Sequence, residues 1–349
     1  MFVRNAWYIA AVEDELGTQP LARKILGEDI VLWRKSDGMP AAIEDRCCHR
    51  NLPLSLGRLE GDHIRCGYHG FLFDSKGVVI EIPGQSTIPE KAFVKTYPVV
   101  ERWKWVWIWL GDAALADPAK IPNMFWADHP EWKFTKCMPV PLACNYHLVC
   151  DNVLDATHLT YVHPTTIGAM SLVEFDPVIK QTEESLRVER WILDRPPPPS
   201  YKKAGGFPGN VDRFACIEYW TPNVCVNYGN NYDAGCGGTD GDPSKSAHKV
   251  ELVALSIPTP ETETTCHYFF AFARTFGFDD PQVEEFFSRG MVTVFEEDFP
   301  ILQAQQKRIS AYPGATQVDT RNDVGVNRAR RMLQRKLDME QSETRAAAE

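Results

Sequence analysis

Through the first third of the chain, short apolar stretches recur among polar ones and read as strands: Ile30–Trp33, Ala41–Ile43, Val78–Ile80 and Trp105–Trp109. The turn-forming pairs Asp37-Gly38, Glu60-Gly61 and Lys76-Gly77 separate them. Short strands broken by such turns predict an all-β module. Residues from Asp112 to Pro122 read as a linker. Beyond it, Leu148–Val162 reads as helical, and strands are expected at Arg187–Leu193, Cys216–Tyr219, Val224–Tyr228, Val250–Ile257 and Cys266–Ala273. A long helix is expected at Pro281–Ser310. Strands flanked by helices in this order predict an α+β domain, with helices packed on one antiparallel sheet. The division falls at residues 1–118 and 119–349. Two segments read as irregular, Pro196–Pro199 with the glycines after it and Gly229–Ser246; either borders a site or is surface loop. The tail from Glu340 to Glu349 is polar and is expected to fray.

The apolar run Trp103–Leu110 is interrupted by Lys104 and reads as a buried strand. No run approaches the roughly 18–20 residues needed to cross a bilayer, and the beginning of the chain does not read as a secretory signal. A length of 349 residues, 44% hydrophobic, suits two domains with real cores. The formal charge of −10 argues against a nucleic-acid partner. Arg46, Arg50, Arg58 and Arg65 form a local exception, either solubilising charge or a docking face for an acidic electron-transfer protein. The ten cysteines are irregularly spaced, which favours metal ligands and small buried side chains in the reducing cytoplasm over a disulfide framework. Cys137, Cys144, Cys150, Cys216, Cys225, Cys236 and Cys266 fall in the buried class.

Cys47-Cys48-His49 and Cys66-Gly67-Tyr68-His69 are of another kind. They form C-x-H, a 16-residue gap, then C-x-x-H. Two thiolates and two imidazoles on two turns suit zinc or an iron–sulfur cluster. Zinc motifs tend to pair cysteines on one knuckle and histidines on the other, whereas here each knuckle carries one of each. That mixture fits a Rieske [2Fe–2S] centre, with both cysteines on one iron and both histidines on the other. Pro53 and Gly70 would help shape the ligand loops, and Cys48 is left over once Cys47, His49, Cys66 and His69 are assigned.

A second constellation lies in Asp151-Asn-Val-Leu-Asp155-Ala-Thr-His158-Leu-Thr-Tyr-Val-His163. Two histidines and a carboxylate make the facial triad that holds Fe(II) with positions left open. In a regular helix, five residues rotate about 140° and would aim the imidazoles apart, so a π-bulge or a break is expected between them. Asp155 shares a face with His158, and its carboxylate could accept the proton of the non-ligating ring nitrogen. For the third ligand, the late helix offers Glu296, Glu297 and Asp298. At about 100° per residue, Met291, Val292, Val294, Phe295, Phe299, Ile301 and Leu302 define its buried face, and Asp298 lies about 40° from the centre. A carboxylate aimed at an apolar core is costly unless it binds metal or is paired, so Asp298 is selected. The histidine pair alone reads equally well as structural; beside a centre that carries electrons it acquires a use. His63, His129, His147, His248 and His267 have no partner at ligand spacing and read as surface or core residues. Asn227 on the strand Val224–Tyr228 is a candidate polar contact to substrate, or else a strand-edge asparagine bonded to a loop. No arginine stands out as an anchor for an acid.

With these motifs quoted, the chain resembles the Rieske non-haem iron oxygenases, and within them the vanillate O-demethylase oxygenase group with its dicamba and toluenesulfonate methyl monooxygenases. The resemblance runs through Asn5–Ala11, both knuckles, Ile82–Gln85, Tyr97–Arg102, Asp151–Asp155 with its histidines, Thr259–Glu263 and Glu296–Asp298. It implies a Rieske domain followed by a catalytic domain of the helix-grip kind. It also implies a homotrimer in which Asp155 bridges a Rieske histidine, His69, of one subunit to His158 of the next. Electrons would come from a separate NAD(P)H-dependent reductase or a ferredoxin. The activity implied is that of a terminal oxygenase that uses O₂ to hydroxylate or O-demethylate a small aromatic acid, the latter with release of formaldehyde. The same two metal sites would serve a dioxygenase that cis-dihydroxylates a phthalate-like ring, and the motifs do not separate the two.

Overall fold

The computed structural model describes residues 1–164, 167 and 174–348. The chain divides into two compact units, Met1–Pro122 with Thr259–Glu263, and Asn123–Pro258 with Thr264–Glu349.

In the first unit, ten strands form three antiparallel sheets. Strands β1 (Trp7–Val12), β10 (Trp105–Trp109) and β9 (Val99–Arg102) make one, in that order. Every side chain of β1 and β10 is buried, which explains why these runs do not alternate. Strands β2 (Leu21–Ile25), β3 (Glu28–Arg34) and β4 (Pro40–Glu44) make the second. The third carries β5 (Arg58–Glu60), β6 (His63–Arg65), β7 (Leu72–Phe73) and β8 (Val79–Glu81). Two hairpins close on two residues with positive φ, Leu26-Gly27 at 51° and 80° and Trp103-Lys104 at 57° and 68°. That is the geometry that matches strand twist, held in the second case without any glycine. Val31, Trp33, Ile43, Leu54, Ile64 and Phe73 form a core that also takes in Cys47 and Cys66.

The second unit is built on a nine-stranded antiparallel sheet. Its main path runs β11 (Lys133–Lys136), β19 (Thr265–Arg274), β18 (Leu252–Thr262), β16 (Val224–Asp233), β15 (Val211–Trp220), β14 (Ser185–Arg195) and β13 (Val178–Gln181). Strand β12 (Val140–Leu142) pairs with β19, and β17 (Lys249–Val250) with β16. Helices α1 (Tyr146–Leu154) and α6 (Val324–Ala348) pack on the face bearing Leu186, Val188, Ile217, Tyr219 and Cys225. Helices α4 (Pro281–Glu285) and α5 (Met291–Ala311) are joined by a π-helical segment, Phe286–Gly290. Phe295 of α5 packs tilted against Phe270, with ring centroids 4.9 Å apart, and also meets Tyr268 and Phe272 of β19. The fully buried members of this cluster, Tyr268, Phe270 and Phe272, each contribute roughly 1.5–3 kcal/mol.

Several expectations need correction. The tail does not fray at Glu340: α6 continues to Ala348, with Val326, Ala329, Met332 and Leu333 turned inward at helical spacing. Gly229–Asp233 continues β16, and Pro199–Gly205 is the helix α3, with Pro199 at its first position where a missing N–H costs nothing. On α5, Val294, Asp298 and Leu302 form the buried row at i, i+4 and i+8, whereas Ile301 is 46% exposed; the side chain of Met291 lies outside the described residues. No described helix is long and apolar enough to cross a membrane.

Candidate functional site

The first unit presents two matching loops. In one, the Leu52 carbonyl accepts from Cys47 N–H at 2.8 Å and the Cys47 carbonyl from Asn51 N–H at 2.9 Å. In the other, Phe71 and Cys66 carbonyls accept from Cys66 and Gly70 N–H groups at 2.8 and 3.2 Å. Each loop turns on a left-handed residue, Asn51 (φ 60°) and Gly70 (φ 75°). At Gly70 a Cβ would also lie 2.9 Å from the Pro83 ring, so glycine is required there on two counts.

These loops sort the four candidate ligands by depth. Cys47 and Cys66 are both 2% exposed and adjacent inside the apolar core. His49 and His69 are exposed, with ring centroids 4.5 Å apart. Phe71 stacks flat on His49 at 4.9 Å, and Tyr68 tilts over His69 at 3.8 Å. Burial pushes the Cys47 thiol up to about 11, with Cys66 adding to the rise. Without metal the Cys47 thiol is therefore protonated at neutral pH, and metal must displace that proton. Two buried thiols behind two exposed imidazoles fit a [2Fe–2S] cluster with dissimilar irons. Cys48 is half-buried and packs against the same core without joining the set. Three of the nearby arginines are locally compensated: Arg46 pairs with Glu44, Arg58 with Glu60, and Arg65 with Glu60 and Glu81.

In the second unit, α1 starts at Asn145, whose side chain caps the His147 N–H at 2.8 Å. The helix ends at Asp155, where the backbone leaves helical geometry (φ −98°, ψ 85°). A 3₁₀ turn (Ala156–His158) and the single turn α2 (Leu159–Val162) follow, and His163 closes the segment. The break thus precedes His158 rather than falling between the histidines, and the π-helical segment lies in the late helix instead. The new turn brings the rings together, with centroids 5.3 Å apart.

Asp298 meets both histidines. Its Oδ2 is 3.3 Å from His163 Nε2 and its Oδ1 is 3.8 Å from His158 Nε2. One ligand atom from each of the three residues lies within 4.8 Å of the others. Metal–ligand bonds near 2.1 Å place neighbouring donor atoms about 3 Å apart, so little adjustment would seat an ion. The outer nitrogens of both imidazoles are fixed. His163 Nδ1 donates to Glu297 Oε2 at 2.6 Å, and His158 Nδ1 donates to the Asp155 main-chain carbonyl at 2.5 Å. Asn152 Nδ2 donates to Asp298 Oδ1 at 3.0 Å. Both Nε2 atoms are thereby left as bases aimed at Asp298. In the metal-free chain, burial disfavours a charged His163, yet Asp298 and Glu297 outweigh it and raise its pKa.

Asp155 therefore orients His158 through its carbonyl and not, as expected, through its carboxylate. The carboxylate caps the next turn, accepting from Thr157 N–H at 3.0 Å and Thr157 Oγ1 at 2.6 Å. Glu297, set aside on helical phase, holds His163. Glu297→Gln removes the negative charge from that bond, and a 10–100-fold loss of iron affinity or activity is expected; an iron titration of the two proteins compares them.

A cavity opens over the triad. Asn152, Leu159, Ile217, Ala254, Val294 and Phe295 line it with the two histidines and Asp298. Asn227 lies on this wall, opposite Ile217 and Ala254 in the sheet register. Tyr201 and Arg213, neither singled out from the sequence, also line it. Arg213 alternates with Ile217 along β15, a pattern hidden because the strand was expected to begin only at Cys216. His147 and His267 are not among the described lining residues.

The family model described as the Rieske [2Fe-2S] domain matches residues 6–98. That described as the vanillate O-demethylase oxygenase C-terminal domain matches residues 142–339. The chain is 41% identical to the iron–sulfur subunit of a toluene-4-sulfonate monooxygenase system from Comamonas testosteroni, over 99% of both chains. It is 35% identical to a vanillate O-demethylase oxygenase subunit from Pseudomonas sp., over 99% of this chain and 98% of the other. Among solved structures, dicamba monooxygenase bound to dicamba superposes with a TM-score of 0.87 at 31% identity, covering 98% of this chain and 99% of that one.

Proposed function

The chain belongs to the vanillate O-demethylase oxygenase group of the Rieske non-haem iron oxygenases, and from that premise we propose that it is a terminal oxygenase that monooxygenates a small aromatic acid. The observation that carries this reading is the convergence of His158, His163 and Asp298 beneath a largely apolar cavity. As a member of the group, the chain has a Rieske [2Fe–2S] cluster and a mononuclear iron. Cys47 and Cys66 are assigned to one cluster iron, His49 and His69 to the other, and the triad to the mononuclear iron. When bound, these groups supply single electrons and a site for O₂ activation.

The chain's own residues do the rest. Glu297 and the Asp155 carbonyl hold the imidazoles in the tautomer that ligates. Asn152 anchors the third ligand. Leu159, Val294 and Phe295 keep the space over the triad apolar, which excludes water and limits unproductive oxidant loss. Asn227 is assigned as a polar contact to the substrate.

Oxygenase components of this kind imply a reductase, with or without a ferredoxin, and an aromatic substrate. The finer assignments are a homotrimer and a bridge from the Asp155 carboxylate to His69 of the neighbouring subunit. Asp155 Oδ1 is committed to Thr157, which leaves Oδ2 for such a bridge. Tyr68 (65% exposed) and Leu56 (69% exposed) give the knuckle region an apolar surface suited to docking. Ten cysteines without a disulfide support a cytoplasmic setting.

The test supplies purified protein with a reductase, NADH and O₂, and offers methoxylated, methylated and unsubstituted aromatic acids. Mass spectrometry and a formaldehyde assay read the outcome. Gain of one oxygen on a methyl group, or loss of a methylene unit with matching formaldehyde, is expected. Gain of two oxygens and two hydrogens would instead assign ring cis-dihydroxylation.

A further inference from the structure

The inner wall of the cavity is made by alternate residues of three neighbouring strands. Arg213 and Ile217 come from β15, Asn227 and Gly229 from β16, and Leu252 and Ala254 from β18. All are apolar, small or neutral except Arg213. Its Nε and Nη1 are withdrawn from solvent and have no hydrogen-bond partner among the described residues. Arg213 is half-buried, and donor atoms of a cation withdrawn and unpaired in this way are costly unless something pairs with them.

No described carboxylate does so. The adjacent carboxylate, Asp212, is spent on the N–H groups of Asp194, Gly235 and Gly237 at 2.9, 2.7 and 2.8 Å. Strand alternation sends it to the opposite face. Glu218, also on that face, accepts from the Tyr228 hydroxyl at 3.1 Å. Asn231, directly across from Arg213 in the register, is a neutral amide. Among the described lining residues the one carboxylate is Asp298, already committed to the triad. Tyr201 lies with its ring 5.8 Å from the guanidinium. Its hydroxyl approaches the sheet where β16 has Gly229; a Cβ there would sit 2.6 Å from that oxygen. The glycine leaves room for a second donor beside the first.

We infer that Arg213, assisted by the Tyr201 hydroxyl, is the anchor for the charged group of the substrate, a carboxylate or sulfonate on an aromatic ring. This deepens the proposed function and rests on it. A guanidinium presents paired N–H groups in a fixed fork that matches two oxygens of either anion. The ring would then lie along Ile217, Leu252 and Ala254, with the carbon to be oxidised toward His158, His163 and Asp298. The anion completes the cavity's charge balance, so the site discriminates against neutral analogues of the same shape.

Binding to the full metal-loaded protein, held anaerobic so that no turnover intervenes, tests the assignment by calorimetry. The probes are 4-methylbenzoate, 4-toluenesulfonate and the neutral 4-methylbenzyl alcohol. Comparing the two anions identifies which acid group the fork prefers. Arg213→Gln is expected to weaken both anions about 10–100-fold, the range for a lost charge-assisted hydrogen bond, and to leave the alcohol unchanged. Arg213→Lys, which keeps the charge and loses the fork, is expected to fall between, and Tyr201→Phe to cost less than Arg213→Gln. Retained affinity for the alcohol shows that the cavity of each variant is folded. Anion affinity unchanged in both Arg213 variants, or equal loss for anions and alcohol, would overturn the inference while acid oxidation by the wild type left the proposed function standing. A wild type that oxidises neutral aromatics and binds neither anion would overturn both.

Discussion

Asp298→Ala is expected to reduce substrate oxidation to the detection limit while leaving the visible spectrum of the iron–sulfur cluster unchanged. Asp298 is the one carboxylate in the triad and is 7% exposed. Removing it leaves two neutral imidazoles to hold a divalent cation and strips Asn152 Nδ2 of its acceptor. Loss of an outer partner alone costs about 10–100-fold in metal affinity or activity, and loss of a direct ligand must cost more. The residues proposed as cluster ligands all lie in the unit Met1–Pro122, whose core contains none of the triad. Parallel assays of turnover and visible absorption make the check. Bleaching of the cluster in this variant would mean that Asp298 supports the fold of the whole chain and not one site.

Cys66→Ser should do the converse, abolishing the cluster's absorption and its electron paramagnetic resonance signal along with turnover. Cys66 and Cys47 lie together in the apolar core of the first unit, so a serine there substitutes a poorer ligand and buries a hydroxyl. Cys48→Ser is the control. That residue neighbours Cys47 in sequence, yet it packs on the core from the side and leaves the ligand set complete. Its variant should keep both signals, and their loss would show that a ligand has been misassigned.

The knuckles were legible because their proposed ligands are local: two short motifs set residue types and spacing before any tertiary contact forms. Asp298 was legible for a different reason. Helical phase placed a carboxylate on a buried row, and burial of an unpaired charge is too costly to be accidental. Glu297 was missed because its partner, His163, lies 134 residues away and reaches it only after α1 has broken at Asp155. That break also explains the misassigned carboxylate of Asp155. An i to i+3 argument assumes a continuous helix, whereas the backbone turns there and offers its carbonyl instead. Arg213 carried a readable signal in its alternation with Ile217, lost when the start of β15 was placed too late. The terminal helix α6 was passed over because its charged residues outnumber the Val326, Ala329, Met332 and Leu333 that anchor it.

One chain is proposed to hold two different iron centres, at separate sets of residues. Iron and acid-labile sulfide per chain, measured on protein purified without exposure to O₂, address it directly. About three irons and two sulfides are expected for the wild type, one [2Fe–2S] cluster and one mononuclear iron. Asp298→Ala should keep both sulfides and lose about one iron. Zinc at the knuckles, absence of sulfide, or an undiminished iron content in Asp298→Ala would contradict this assignment.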